Sequence, residues 1–318
     1  MPDRIKRNPR FERAGTPPAI ELTKRDIEII QAVHKLRFLD SNQIGLLIGG
    51  SRQNLLRRLA LLFQHRYLDR PRAQLEYFRP VRNNPLVYGL GNAGADLLSE
   101  RFSIPRRKID WQAKNQVAKR LFLQHSILTA DVTVKLDAAC RAAGNARLIE
   151  GDDILERCPV ATRQKATPFK WNVRFLHNGA PLSLGIDPDD IFGLEFRGEE
   201  RRHDPAYFFL EADRATMPVE RSGFERTSIF RKMLAYHESW KQRLHERHFG
   251  ISRFCVLFVT TSAERIETMI EANRHFNARK GSAQFLFADK TFLKSAAPLS
   301  HPILNGTGEI LTLLDLIR

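Results

Sequence analysis

Residues 41–63 read SNQIGLLIGGSRQNLLRRLALLF, two short apolar segments separated by a pair of glycines. Apolar residues recur at helical spacing on each side of Gly49-Gly50, which predicts two helices joined by a tight turn. Ser41 and Ser51 precede these segments, and serine is typical of helix N-caps. The stretch therefore predicts a helix-turn-helix, a motif whose second helix enters the major groove of DNA.

The flanking residues extend this motif on both sides. Upstream, Thr23 is the expected N-cap of a preceding amphipathic helix. Downstream, three short apolar runs predict strands at 67–68, 75–78 and 86–90. The pattern that follows predicts a helix at 91–102. Three helices followed by a short hairpin are the order of a winged helix-turn-helix. We therefore expect this domain at residues 21–110, after a disordered basic arm at residues 1–20.

The positive charge is concentrated at the N-terminal end of the chain. The whole sequence carries 51 Lys+Arg against 36 Asp+Glu, a net charge of +15. The first 120 residues hold 24 Lys+Arg against 11 Asp+Glu, whereas the remainder holds 27 against 25. A solubilising surface would not need to be confined to one end, so the asymmetry favours double-stranded DNA as a partner of the first domain.

Several polar side chains of this domain are suited to contact DNA. Burial of the leucines leaves the polar residues at the start of the third helix facing outward, where Arg can pair with guanine and Asn or Gln with adenine. Arginines in the wing can contact phosphates or a narrow minor groove. The predicted DNA-binding residues are Arg52, Gln53, Asn54, Arg57, Arg58, Arg72, Arg79 and Arg82. A helical bundle with a solvated basic face is the alternative interpretation.

The rest of the chain, residues 111–318, predicts a second domain. A long amphipathic helix is expected over 111–143, and apolar runs of strand length then alternate with helical patterns. The expected strands lie at 147–150, 182–186, 207–212, 254–260 and 285–288, and the expected helices at 224–246 and 263–276. This alternation predicts an α/β domain with a mixed sheet, and the chain as a whole is expected to be α+β.

An acidic pattern marks two of these strands. One strand runs into Asp187-Pro188-Asp189-Asp190, and a later one ends in Glu211-Ala212-Asp213. Residues two apart on a strand share a face, and hard carboxylate oxygens suit Mg²⁺ or Mn²⁺. The predicted metal ligands are therefore Asp189, Glu211 and Asp213. A surface turn with ordinary ion pairs is the alternative interpretation of the same residues.

This arrangement resembles the PD-(D/E)XK nuclease fold, also described as restriction-endonuclease-like, in which an Asp and a Glu hold a metal and a Lys positions the attacking water. The resemblance implies catalytic roles for Asp189 and Glu211. The Lys expected two residues after the Glu is replaced by Asp213, and Lys232 on the following helix is the candidate substitute. The sequence leaves open whether the domain is a Mg- or Mn-dependent endonuclease or a scaffold without catalysis.

Over about residues 20–290 the chain also resembles the replication-relaxation family of plasmid and mobile-element proteins. In that family a winged helix precedes a His-containing helix, a Pro-Asp strand, an acidic strand reading roughly Glu-x-Asp-Arg-x-Thr, and a helix with Lys and Tyr. The matching positions are residues 88–98, His125, Pro188-Asp189, residues 211–216, Lys232 and Tyr236. The resemblance implies a bacterial DNA-binding protein of plasmid replication, relaxation or mobilisation. A second copy of the chain, or other replication or mobilisation proteins, are the further partners that we consider; the sequence does not reveal the oligomeric state.

Cysteine usage and hydropathy predict the cellular compartment. Cys140, Cys158 and Cys255 are widely separated and show no zinc-ligand spacing, as expected for thiols in a reducing cytoplasm. The sequence contains no run of 18 apolar residues, and its N-terminus lacks an apolar signal core. We therefore expect a cytoplasmic protein that does not contact a membrane.

Overall fold

The chain forms two compact units, residues 1–134 and 135–318. The computed structural model describes residues 9–77, 84–106, 119–196 and 204–317. Their helices and mixed sheet confirm the α+β class. The predicted domain boundary near residue 110 lies outside the described residues. Within the described ranges, no helix is both long and apolar enough to span a membrane.

Helices in the described part of the first unit enclose a small apolar core. Those that lie wholly within this unit are α1 (Lys24–Leu36), α2 (Ser41–Ile48), α3 (Arg52–Gln64), α4 (Gln74–Tyr77) and α5 (Asn92–Phe102). Ile29 and Val33 of α1 pack in this core with Leu55 and Leu59 of α3. Each pair is four residues apart, so each lies on one face of its helix.

Capping boxes define the starts of α1 and α2. The side chain of Thr23 accepts a hydrogen bond from the backbone N–H of Asp26, whose carboxylate accepts one from the N–H of Thr23 at 2.8 Å. The N-cap of α2 is Asp40, and the predicted cap, Ser41, is the first helical residue. Asp40 replaces it because its carboxylate accepts two backbone N–H groups of the first turn, at 2.7 and 2.9 Å.

Three short strands form an antiparallel sheet within the described residues of this unit. They are β1 (Phe38–Asp40), β2 (Leu68–Asp69) and β3 (Val87–Leu90), and β3 lies between the other two. The strand predicted at 75–78 is wrong, because Gln74–Tyr77 form α4 and Phe78 lies outside the described residues. The buried side-chain amide of Gln74 accepts a hydrogen bond from the N–H of Val87 at 2.9 Å and donates one to its carbonyl at 3.0 Å. These two side-chain bonds take the place of the backbone bonds that a neighbouring strand would make with β3 at Val87.

Two glycines allow α5 to lie directly against the backbone that follows α3. A Cβ at Gly91 would lie 2.1 Å from the carbonyl oxygen of Arg66, and one at Gly94 would lie 2.3 Å from that of Tyr67. No side chain fits at such separations, so both positions require glycine. This close packing explains the glycines within the motif at residues 88–98.

Residues 9–20 lie along α3 and β2, which differs from the disordered arm expected over residues 1–20. Nε of Arg13 donates to the carbonyl oxygen of Phe63 at 2.8 Å, and Nη2 of Arg13 donates to Asp69 at 3.1 Å. The guanidinium also lies 4.4 Å from the centre of the Phe63 ring. These contacts join residues about fifty positions apart, so local composition gives no sign of them. Residues 1–8 lie outside the described part of the chain.

Most strands described in the second unit join one mixed sheet. In chain order the strands are β4 (Ala146–Ile149), β5 (Trp171–His177), β6 (Ala180–Ile186), β7 (Asp190–Phe196), β8 (Ala206–Ala212), β9 (Phe254–Val259), β10 (Phe285–Ala288), β11 (Ile303–Asn305) and β12 (Ile310–Leu311). Their order in the sheet is β12-β11-β10-β9-β8-β7-β4, and β5 and β6 form a separate hairpin. Strands β8, β9 and β10 are parallel, and the other neighbours are antiparallel.

The remaining described helices follow β3 and α5 in the chain. They are α6 (Arg120–Ala143), α7 (Gly151–Arg157), α8 (Val160–Arg163), α9 (Ile229–Lys241), α10 (Leu244–Phe249), α11 (Ala263–Asn273), α12 (Lys290–Lys294) and α13 (Leu313–Ile317). The single helix predicted at 224–246 is instead α9 followed by α10, because the chain turns at Arg243 with a φ of 52°. Met233 of α9 and Met269 of α11 pack in one core with Phe209 and Val256 of the sheet.

Candidate functional site

The start of α3 presents a polar surface to solvent. Ser51 is its N-cap residue and makes no side-chain capping bond. The exposed polar residues of the first turns are Arg52, Gln53, Asn54 and Arg57. Leu56 lies among them with 40% of its surface exposed. Leu55 and Leu59 fix this orientation because they are buried on the opposite side of the helix.

Arg58 does not belong to this exposed surface, although the sequence predicted it to contact DNA. Its Nε donates to Oδ1 of Asp26 at 2.9 Å, and its Nη2 contacts the other carboxylate oxygen. Asp26 is fully buried. Burial alone would raise the pKa of Asp26, but the hydrogen bonds from Arg58 and Thr23 bring that pKa below its ordinary value. Arg58 therefore ties α3 to α1, and its guanidinium is already engaged.

The predicted wing is described only in part. Arg72 is exposed in the segment between β2 and α4. Arg79 and Arg82 lie outside the described residues. Their proposed contacts with DNA therefore stay predictions from the sequence.

In the second unit, Glu211 of β8 lies in a buried polar cluster with two residues of α9. Nζ of Lys232 donates to Oε2 of Glu211, and Oη of Tyr236 donates to Oε1 at 2.7 Å. Lys232 and Tyr236 are four residues apart, so they lie on the same face of the helix. Only 2% of the Glu211 surface is exposed. Both oxygens of a buried carboxylate are thus hydrogen-bonded.

Asp189 lies beside this cluster. Its Oδ2 accepts a hydrogen bond from the N–H of Ala212 at 2.7 Å, and its own N–H donates to the carbonyl of Leu210 at 3.0 Å. The sequence placed Asp189 at the end of the strand at 182–186, but that segment belongs to the separate hairpin. The neighbour of β8 is β7, which starts at Asp190 and was missed because a Pro-Asp-Asp stretch also predicts a turn.

Asp213 makes different contacts. Nε and Nη2 of Arg265, on α11, donate to its two carboxylate oxygens at 2.9 and 3.2 Å, and Oγ1 of Thr260 donates at 2.7 Å. In the described part of the chain, no three Asp, Glu, His or Cys side chains form a group that could hold a metal ion. The structure therefore does not bring Asp189, Glu211 and Asp213 together as a ligand set. It brings Asp189, Glu211 and Lys232 together instead.

The electrostatics of this cluster follow from its burial. Burial, together with the smaller effect of the Asp189 charge, raises the pKa of Glu211 to about 7, although the nearby Lys232 and the hydrogen bond from Tyr236 lower it. Burial lowers the pKa of Lys232, but Glu211 and Asp189 raise it above its ordinary value overall. Burial and the same carboxylates raise the pKa of Tyr236 well above its ordinary value. At neutral pH Lys232 is thus a cation and Tyr236 is a neutral phenol, whereas the protonation state of Glu211 changes near pH 7.

The model of the replication-relaxation family matches residues 30–253. The chain belongs to the replication-relaxation family. The matched segment includes α3 together with Asp189, Glu211, Lys232 and Tyr236, and family membership indicates a role in replication or mobilisation. No curated protein and no solved structure matches the chain significantly.

We expect Arg58→Ala to lower the free energy of unfolding of this replication-relaxation protein by about 3–5 kcal/mol, because Asp26 stays buried without its cation. Arg57→Ala is the matched control: it removes an exposed arginine from the same helix and should change stability by no more than about 0.5 kcal/mol. Urea denaturation of the full chain, with hydrogen exchange in α1 and α3, measures both. Equal losses in the two variants would contradict the assignment of Arg58.

The raised pKa of Glu211 predicts that its proton stabilises the folded state. Between pH 4.5, its ordinary pKa, and about 7, the folded state holds this proton and the unfolded state releases it. The free energy of unfolding should therefore fall as pH rises through this interval. Glu211→Gln has no ionisable group at this position. The difference in free energy of unfolding between variant and wild type should therefore change by roughly 3 kcal/mol between pH 4.5 and about 7. Denaturation at a series of pH values checks this, with the half-exposed Glu220→Gln as control; parallel profiles would show that Glu211 is ionised throughout.

Proposed function

We propose that this protein binds duplex DNA through the helix-turn-helix of its first unit and acts in plasmid or mobile-element replication, relaxation or mobilisation. The observation that carries this proposal is the polar surface at the start of α3, where Arg52, Gln53, Asn54 and Arg57 are exposed while Leu55 and Leu59 of the same helix are buried. Such a helix can enter the major groove with its N-terminal residues against base edges.

The order of elements in the first unit supports a winged helix-turn-helix. Helices α1, α2 and α3 are followed by β2 and β3, which are paired and would flank a wing. Strand β1, between α1 and α2, completes the sheet by pairing with β3. In a winged helix this hairpin lies beside the helix that reads DNA, and Arg72 would contact the phosphates next to it.

The side chains on α3 have the chemistry of base recognition. Arg52 and Arg57 can each donate two hydrogen bonds to guanine, and Gln53 and Asn54 can pair with adenine. Each good pair contributes about 1–3 kcal/mol of discrimination against a wrong base. The excess of Lys and Arg in the first 120 residues, 24 against 11 Asp and Glu, adds the non-specific attraction to phosphates.

We predict that the full chain binds duplex DNA with an affinity that falls steeply with salt, because each phosphate contact releases counterions. Arg52→Ala and Arg57→Ala should lose about 1–3 kcal/mol of affinity for a selected site, and less for random DNA. Arg101→Ala, an exposed arginine at the end of α5, removes the same charge elsewhere and should not change the preference for the site. Fluorescence anisotropy across a salt series measures all four proteins. Equal effects of the three substitutions would exclude α3 as the reading helix.

As a second candidate, we propose metal-dependent cleavage of DNA by the second unit. The observation that favours it is the contact of Lys232 with Glu211 beside Asp189. The chain order also supports it, since α6 precedes the antiparallel strands β4, β7 and β8, and α9 leads to β9, parallel to β8. This is the order expected of a PD-(D/E)XK nuclease, with Lys232 on the helix in place of the usual lysine on the strand.

The residues present fit a divalent cation held by two carboxylates. Asp189 and Glu211 would supply the hard oxygen ligands that Mg²⁺ and Mn²⁺ prefer, whereas Asp213 is engaged by Arg265. The cation, when bound, would supply Lewis acidity at a phosphate oxygen. Tyr236 would orient Glu211 through the hydrogen bond to Oε1, and Lys232 would place a positive charge next to the attacking water.

This second candidate predicts that Mg²⁺ or Mn²⁺ raises the melting temperature of the wild type, because the cation binds only the folded state. Asp189→Asn and Glu211→Gln should abolish the rise, and Glu220→Gln should keep it. Wild type should also nick or cut supercoiled plasmid in the presence of Mn²⁺, and Lys232→Met should not. Calorimetry and gel electrophoresis measure the two effects. A wild type that binds Mn²⁺ and leaves the plasmid intact would identify the domain as a nuclease-like scaffold.

A further inference from the structure

We propose that a separate cleft in the second unit binds a nucleotide. The cleft has a volume of about 860 Å³, within the range of about 300–1,000 Å³ typical of ligand pockets. Its walls come from the starts of β8 and β9, the residues before β10, and the end of α9. This proposal does not depend on duplex binding by α3.

The cleft lies away from the carboxylate cluster. Tyr207, near the start of β8, lines the cleft, whereas Glu211 lies four residues further along the same strand. Four residues of extended strand span about 13 Å. Phe254, at the start of the parallel strand β9, lies beside Tyr207 in the sheet and also lines the cleft. The cleft is therefore at the amino ends of the parallel strands, and Glu211 is near their carboxyl ends.

Two polar side chains of the cleft wall have unused hydrogen-bonding capacity. Oε1 and Nε2 of Gln284 are both buried without a hydrogen-bond partner among the described residues, and so is Nδ1 of His237. Buried polar atoms almost always have a hydrogen-bond partner in folded proteins, so the unpartnered amide of Gln284 calls for an explanation. An amide carries a donor next to an acceptor, and the edge of a nucleobase carries the complementary pair, as glutamine and adenine do in DNA recognition. A base is thus a ligand that Gln284 could recognise, with its buried amide turned toward the cleft that the residue lines.

The aromatic and charged groups of the cleft fit the rest of a nucleotide. Trp240 stacks on His245, with ring centroids 4.7 Å apart and planes 2° apart, and it also lines the cleft. Bases of any sequence stack on such rings. Arg253 is exposed at the cleft and can pair with a phosphate. Lys241, Asp204 and Asp315 line it too, so the two cations of the lining are balanced by two carboxylates. This absence of net positive charge favours a ligand with a single phosphate over a triphosphate.

The shared chemistry is therefore a nucleotide with one phosphate, either free in solution or within a single strand of DNA. Isothermal titration of the full chain with dAMP, dCMP, dGMP and dTMP, and with six-residue single-stranded oligonucleotides, distinguishes the two sources. We expect saturable binding with a dissociation constant below about 1 mM for the best probe. Equal affinity for monomer and oligonucleotide indicates a free nucleotide, and at least tenfold tighter binding of the oligonucleotide indicates a strand.

Gln284→Leu is the decisive variant. It removes an amide that has no partner in the free protein, so it should raise the melting temperature by about 2–4 °C while weakening nucleotide binding at least tenfold. A merely structural role of Gln284 would lower the melting temperature instead. Arg253→Gln should weaken binding at least threefold, whereas Arg274→Gln, an exposed arginine that pairs with Glu271 outside the cleft, should not. Absence of saturable binding to wild type, or unchanged binding by Gln284→Leu, would overturn the proposal.

Discussion

Every carboxylate that is buried in the described part of the chain is paired with a cation from another segment. The pairs are Asp26 with Arg58, Asp69 with Arg13, Glu211 with Lys232, and Asp213 with Arg265. An unpaired buried charge is strongly unfavourable, so these pairs constrain how the segments meet. One pair joins α1 to α3, another holds the N-terminal segment, and two fix helices of the second unit against the end of β8.

The same constraint identifies residues that maintain the fold. On α3, Arg57 and Arg58 are adjacent and chemically identical, but only Arg58 reaches a buried carboxylate. Arg57 is exposed to solvent. In the second unit both oxygens of Asp213 are occupied by Arg265, which commits that carboxylate to structure.

Glu211 differs from the other members of this group in the cation with which it pairs. Its cation is Lys232, whose ammonium group is a compact charge at the end of a flexible side chain. Asp213 is instead held by the planar guanidinium of Arg265 through two hydrogen bonds. The second carboxylate beside it, Asp189, raises the pKa of both Glu211 and Lys232. Asp189, Glu211, Lys232 and Tyr236 thus meet at one place in the fold, although they are spread over residues 189–236.

The sequence by itself determined the α+β class, the capped start of α1 at Thr23, the glycine turn after α2, the strand at 285–288 and the membership of the replication-relaxation family. These features depend on side chains within a few residues of one another, which periodicity and capping patterns record. Only the tertiary structure decided that Arg58 faces Asp26, 32 positions away, and that Asp213 faces Arg265, 52 positions away. It also decided that β7 pairs with β8. Long-range ion pairs and strand neighbours leave no local pattern, because their partners meet only when the core forms.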